Sequence, residues 1–126
     1  MKNIVVSVPN SLLAGGIVMQ LKKNSNFRIY REDDPRGIED FCVGADLDVL
    51  LVEVREQSPC TLDEWLSRYK TIRKQCGHSR LAVIVDENTS PALAERVTRA
   101  RNDLLIDAFV YSSVTGDYLS AVVDSL

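Results

Sequence analysis

Carboxylates and thiols are the groups in this 126-residue chain whose positions invite chemistry. Glu53 stands near the C-terminal end of an apolar run, Asp48 to Val54. Asp86 and Glu87 directly follow a second run, Leu81 to Val85. Brought together, three acids would offer oxygen ligands to a hard divalent cation. Alone, Glu53 reads as a polar residue at a wet strand end. Cys60 follows Pro59 shortly after Glu53. A thiol there would need a neighbour that lowers its pKa to act as a nucleophile or redox group, and nothing nearby clearly does so. His78 is the only histidine, so neither a Ser-His-Asp triad nor a His-rich metal site is available.

The remaining thiols, Cys42 and Cys76, make an odd total of three with no Cys-x-x-Cys spacing. That is not a disulfide framework, and Cys76-Gly77-His78 is too sparse for zinc. All three are expected as reduced thiols in or near a core. The net charge of −3 argues against nucleic-acid binding, which needs a basic surface. No apolar stretch is long enough to span a membrane, and the N-terminal run is too short for a signal peptide. The expected compartment is the cytoplasm.

The elements that must position these residues alternate along the chain. Ile4–Val8 is a short β-branched run, as in a strand buried on both faces. Pro9-Asn10-Ser11 is a turn and cap cluster, after which Leu13, Ile17 and Leu21 recur at helical spacing through Lys23. Gly15-Gly16 falls inside that helix, away from any Gly-x-Gly-x-x-Gly phosphate loop, and is read as allowing close helix packing. Phe27–Tyr30 is a more exposed strand, Asp33–Gly37 a turn, and Ile38–Val43 a short helix ended by Gly44. Asp48–Val54 is the strongest strand. Thr61-Leu62-Asp63-Glu64 is a capping box, and Leu62, Trp65, Leu66, Tyr69 and Ile72 form the apolar stripe behind it. Gly77 is placed as that helix's C-terminal cap. Leu81–Val85 is the fourth strand, with His78 in the turn before it. Ser90-Pro91 opens a helix with Leu93, Val97, Ala100 and Leu104 on one side. Ala108–Tyr111 is the fifth strand, and Gly116–Leu126 the last helix.

Five strands separated by helices imply one α/β domain over residues 1–126: a three-layer sandwich with a parallel sheet and five helices. The flavodoxin-like order 2-1-3-4-5 buries strands 1, 3 and 4, the most apolar, and leaves strand 2 at an edge. Chemistry in such a sheet occurs at the carboxyl ends of the strands. Those ends carry Val8-Pro9-Asn10, Glu53-Val54-Arg55, Val85-Asp86-Glu87 and Tyr111-Ser112-Ser113.

Three segments, Ser11–Ile17, Asp48–Val54 and Asp107–Ser112, resemble in order and spacing the first helix, third strand and fifth strand of two-component response-regulator receiver domains, the CheY-like fold. The resemblance covers nearly the whole chain and is nearest to receivers that carry a helix-turn-helix output domain. It implies that a working site would have two acids at Val8 and Pro9, a phosphoacceptor aspartate at Glu53, a hydroxyl residue at Val85 or Asp86, and a lysine at Ser112. This chain has none of the five, so magnesium binding and phosphoryl transfer, which depend on charge neutralisation and positioning, lose their parts together.

The expectation is a non-enzymatic, phosphorylation-independent receiver-like module without cofactor or metal. It would act through a protein partner or as a homodimer, either alone or as the regulatory part of a longer transcription regulator with an output domain outside this sequence. Tyr118, Val122 and Leu126 on the last helix are its interface candidates. The competing expectation is a flavodoxin-like ligand- or nucleotide-binding domain or small enzyme; the lack of a phosphate loop after strand 1 weighs against it.

Overall fold

The computed structural model describes residues 1–58 and 60–126, and of Val43 only the backbone. The strands are β1 (Lys2–Ser7), β2 (Phe27–Arg31), β3 (Val49–Glu53), β4 (Arg80–Val85) and β5 (Ala108–Tyr111). The helices are α1 (Ser11–Leu21), α2 (Pro35–Gly44), α3 (Leu62–Gln75), α4 (Pro91–Asn102) and α5 (Gly116–Ser125). All strand pairs are parallel, in the order β2-β1-β3-β4-β5.

That order follows from burial. Parallel strands covered on both faces read as continuous apolar runs. Ile4–Val6, Val49–Val52 and Leu81–Val85 are such runs, and all are buried. β2 keeps Arg28, Tyr30 and Arg31 exposed and takes an edge. Alternate side chains divide the core into two layers. Leu50 and Val52 point toward Ile38, Trp65, Ile72 and Val97, under α2, α3 and α4. Val49 and Leu51 point toward Ile17, Leu21, Leu119 and Val123, under α1 and α5.

Helix starts are set by short polar side chains. Asn10, Thr61 and Thr115 each accept a hydrogen bond from the backbone amide three residues on, satisfying one of the free N–H groups there. Two boundaries differ from the sequence reading. The stretch expected as a turn at Asp33–Gly37 contains the start of α2, because Asp34 accepts from the Arg36 amide and Pro35 occupies the first helical position. Leu104 does not extend the apolar side of α4. The helix closes with the Leu105 amide bonded back to the Ala100 carbonyl, a Schellman closure that turns Leu104 left-handed (φ 61°) and leaves it 81% exposed. Gly77 follows the C-cap of α3, Cys76, without adopting positive φ.

At the amino ends of the strands, one carboxylate joins three elements. Asp107 Oδ2 accepts from the Leu81 amide at 2.8 Å and from the Tyr69 hydroxyl at 2.9 Å. Tyr69 also lies 2.9 Å from the Ser79 carbonyl. His78 sits at this same end, 3.3 Å from Asp48, far from the carboxyl ends of the strands.

Candidate functional site

The carboxyl ends of β1, β3, β4 and β5 gather the residues singled out in the sequence, but not into a cation site. Val8 and Val85 are fully buried core residues, so neither faces a ligand. Pro9 is exposed, and Asn10 is occupied as the cap of α1. Between the β3–α3 and β4–α4 loops lies a polar hollow of about 370 Å³, lined by Asn10, Glu53, Arg55, Asp86, Thr89 and Ser90 among others.

Glu53 projects from the end of β3 with its side chain 14% exposed. Its Oε1 accepts a hydrogen bond from Arg55 Nε at 2.9 Å, and a terminal guanidinium nitrogen of Arg55 lies 2.8 Å from the same oxygen as an ion pair. The cation at this carboxylate therefore comes from two residues along the same chain. Charge-assisted contacts from a guanidinium fork are the stronger kind of hydrogen bond. The extended backbone at Glu53–Arg55 turns residues i and i+2 to one side, which is why the pair forms.

Asp86 is spent on its own loop. Its Oδ1 accepts from the Asn88 and Thr89 amides at 3.0 and 3.1 Å, and its Oδ2 from the Thr89 hydroxyl at 2.8 Å. The hydroxyl bond first, and then the amides, hold its carboxyl below the ordinary aspartate value. Glu87 reaches the other way. The Ser113 hydroxyl donates to its Oε1 at 2.6 Å, tying the loop after β4 to the loop after β5, while its Oε2 is buried without a partner. The three acids thus have three separate engagements. Among the described residues no group of three or more His, Cys, Asp and Glu could hold a metal ion. The acidic cation pocket considered from the sequence does not form.

Ser112 donates its amide to the Val85 carbonyl at 3.0 Å, with its side chain exposed. Cys60 is half-buried; burial pushes its thiol up, against the opposing pull of Arg55, so it is not an activated nucleophile. Its neighbour Pro59 lies outside the described residues. Cys42 and Cys76 are buried free thiols, with Cys76 Sγ 3.8 Å from the Cys42 carbonyl. On α5, Tyr118 is 54% exposed, whereas Val122 and Leu126 pack partly against the core layer under α1 and α5. Only Tyr118 of the three interface candidates faces outward, and it lines one surface with the exposed Tyr111.

Sequence reasoning missed Arg55 as the partner of Glu53. It also misread the glycine pair of α1. A Cβ placed at Gly15 or Gly16 would meet nothing within 4 Å, so close helix packing is not their reason. Gly16 instead borders a second hollow, of about 440 Å³, between α1 and α5.

No protein-family model and no curated protein matches the sequence. Solved structures do match. A response-regulator receiver domain protein from Clostridium thermocellum superposes with a TM-score of 0.77 at 14% identity, over 99% of this chain and 93% of that one. A LuxR-family DNA-binding response regulator from Silicibacter pomeroyi gives 0.73 at 15% identity, over 98% and 89%. A streptococcal protein, described as belonging to a family of redox sensors evolved from two-component response regulators, gives 0.75 at 15% identity, over 99% of this chain and 50% of that one. The chain has the fold of response-regulator receivers, with five parallel strands in the order 2-1-3-4-5 and five helices.

Proposed function

We propose that this domain is a receiver-like signalling module that works without phosphoryl transfer, through contact with a protein partner or a second copy of itself, as the regulatory part of a two-component-type transcription regulator. The observation that carries the reading is the Arg55–Glu53 clamp. Where the receiver resemblance puts a phosphoacceptor, this chain has a carboxylate already neutralised from within. The positions of the metal-binding acids hold Val8 and Pro9, and the lysine position holds Ser112. The streptococcal redox sensors support the idea that this fold serves signals other than phosphate. No helix among the described residues is long and apolar enough to cross a membrane.

Incubation with acetyl phosphate and magnesium is expected to leave the intact mass unchanged. A gain of one phosphoryl group, mapped to Glu53 or any other acid of the site, would overturn the reading.

The clamp also sharpens what Glu53 does. Glu53→Gln leaves the Arg55 cation unpaired, and Arg55→Gln leaves the Glu53 anion unpaired. If the charge at this strand end sets the signalling state, the two variants should shift the dimer or partner dissociation constant in opposite directions. The usual scale of coupling between sites is about 5- to 150-fold. Melting temperatures should barely change, because a partly exposed ion pair contributes about 0–1 kcal/mol. Light scattering across a concentration series measures self-association, for which the exposed Tyr111 and Tyr118, on one lining at the end of β5 and start of α5, are the proposed surface. If both variants stay within about twofold of the parent, too small a change for allosteric coupling, Glu53 is a bystander.

The competing nucleotide or flavin reading would need a cationic or glycine-rich phosphate cradle. The hollow between α1 and α5 has no charged side chain in its lining, and Arg55, the cation lining the polar hollow, is paired with Glu53.

A further inference from the structure

α1 and α5 cover the same face of the sheet, and side chains of two neighbouring helices ordinarily fill the space between them. Here they leave the hollow of about 440 Å³. Ile84 and Val110 from the sheet, with Leu13, Ile17 and Leu119 from the helices, give it apolar walls. Gly16 leaves it open on the α1 side, since a Cβ there would meet nothing within 4 Å. Leu12, at its mouth, is 88% exposed. Asn10, Gln20, Ser112 and Thr115 supply polar groups around the rim, all neutral. In a chain that is 26% Asp, Glu, Lys and Arg, this lining contains none of them.

We infer that the hollow between α1 and α5 is a binding site for an uncharged, largely apolar small molecule with a hydrogen-bonding group at one end. Its size falls within the range of small-molecule pockets, which are mostly apolar with a few placed polar groups. The charge-free lining sets the ligand class. An anion would find no cation here, and a cation no carboxylate. An apolar body would cover Leu12 and contact Ile17, Ile84 and Leu119. A hydroxyl, carbonyl or amide on it would reach Ser112 or Gln20. The ligand would touch α1, β5 and the start of α5 at once, and so would favour whichever arrangement of those elements it fits. This inference is independent of the role of Glu53.

The test uses N-phenyl-1-naphthylamine, a neutral apolar fluorophore, titrated into the full chain. Saturable, one-to-one enhancement is expected, with backbone amide shifts in NMR centred on Gly16, Ile17, Val110, Ser112 and Leu119. Gly16→Leu should fill the opening and weaken binding by about tenfold or more. It should also raise the melting temperature, because leucine is the far better helix former, so lost binding will not reflect lost folding. Linear, unsaturable fluorescence would overturn the site. So would amide shifts centred elsewhere, such as Leu104 and Leu105, or undiminished binding by Gly16→Leu. Dimerisation that expels the probe as protein concentration rises would assign the hollow to a second copy of the chain and overturn the small-molecule reading too.

Discussion

Asp107→Ala is expected to destabilise the domain by about 3 kcal/mol, lowering the melting temperature by roughly 10 °C for a chain of this size. The side chain accepts two hydrogen bonds through one oxygen, from the Leu81 amide and the Tyr69 hydroxyl. Leu81 is fully buried near the start of β4, and its amide takes the carboxylate as its partner. An unsatisfied buried donor costs about 1–3 kcal/mol, and bonds to a charged acceptor lie at the stronger end. Tyr69→Phe should cost less, about 1 kcal/mol, because Asp107 keeps the Leu81 amide and the ring still fills its place. Thermal and urea unfolding of both variants separates the two terms. A loss below about 1 kcal/mol for Asp107→Ala would show that water replaces the carboxylate.

Two buried groups, Tyr69 of this network and Cys42 outside it, set an alkaline limit. Burial first, and then the hydrogen bond and charge of Asp107, raise the Tyr69 phenol above its ordinary value of 10.0. Burial first, aided by Cys76, pushes the Cys42 thiol from 9.0 up to about 12. Both groups are neutral in the folded chain. Their stabilisation is complete below the unfolded values, near pH 9 for the thiol and 10 for the phenol, and is lost as pH rises toward the folded ones. Unfolding midpoints should therefore fall steeply above pH 9, and Tyr69→Phe should remove the part of that slope that begins near pH 10.

The second large effect distinguishes two apolar residues in one core layer. Leu51→Ala is expected to cost about 4 kcal/mol and Ile84→Ala about 2 kcal/mol, the upper and lower parts of the range for such truncations. Leu51 is fully enclosed at the centre of the sheet, paired in register with Val6 on one side and Ala82 on the other. Its removal leaves a closed void that neighbouring side chains fill only in part. Ile84 already borders the hollow between α1 and α5, so truncation widens a space its neighbours do not fill now. Urea unfolding with unchanged m-values would make the comparison clean. Equal losses at the two positions would mean that the hollow is closed in solution.

The strands and their order were legible because buried parallel strands write themselves as unbroken apolar runs, and Val49–Val52 and Leu81–Val85 leave little choice. The start of α2 was less legible, since Asp34-Pro35 serves a turn and a helix start equally well. Glu53 was found because it breaks such a run. Arg55 was passed over because a charged residue beyond a strand end is ordinary, and only the side-chain positions reveal the clamp. The hollow could not be read from the sequence at all. It depends on the spacing between α1 and α5, about a hundred residues apart, and Gly16 alone does not announce which side of its helix stays empty.

The sheet order also constrains how the chain assembles. β1 is made first yet lies between β2 and β3, and Ile4 pairs with Val49, 45 residues later. Ala82 pairs with Ala108, 26 residues later. Every pairing waits for a crossover helix, so local hairpins cannot seed the sheet, and topologies built on distant contacts fold more slowly than helical bundles. During synthesis, Val83–Val85 offers a bare apolar edge until β5 has emerged. Incomplete chains with such edges associate through them. Truncated forms that stop short of residue 108 should therefore aggregate rather than remain as smaller soluble domains.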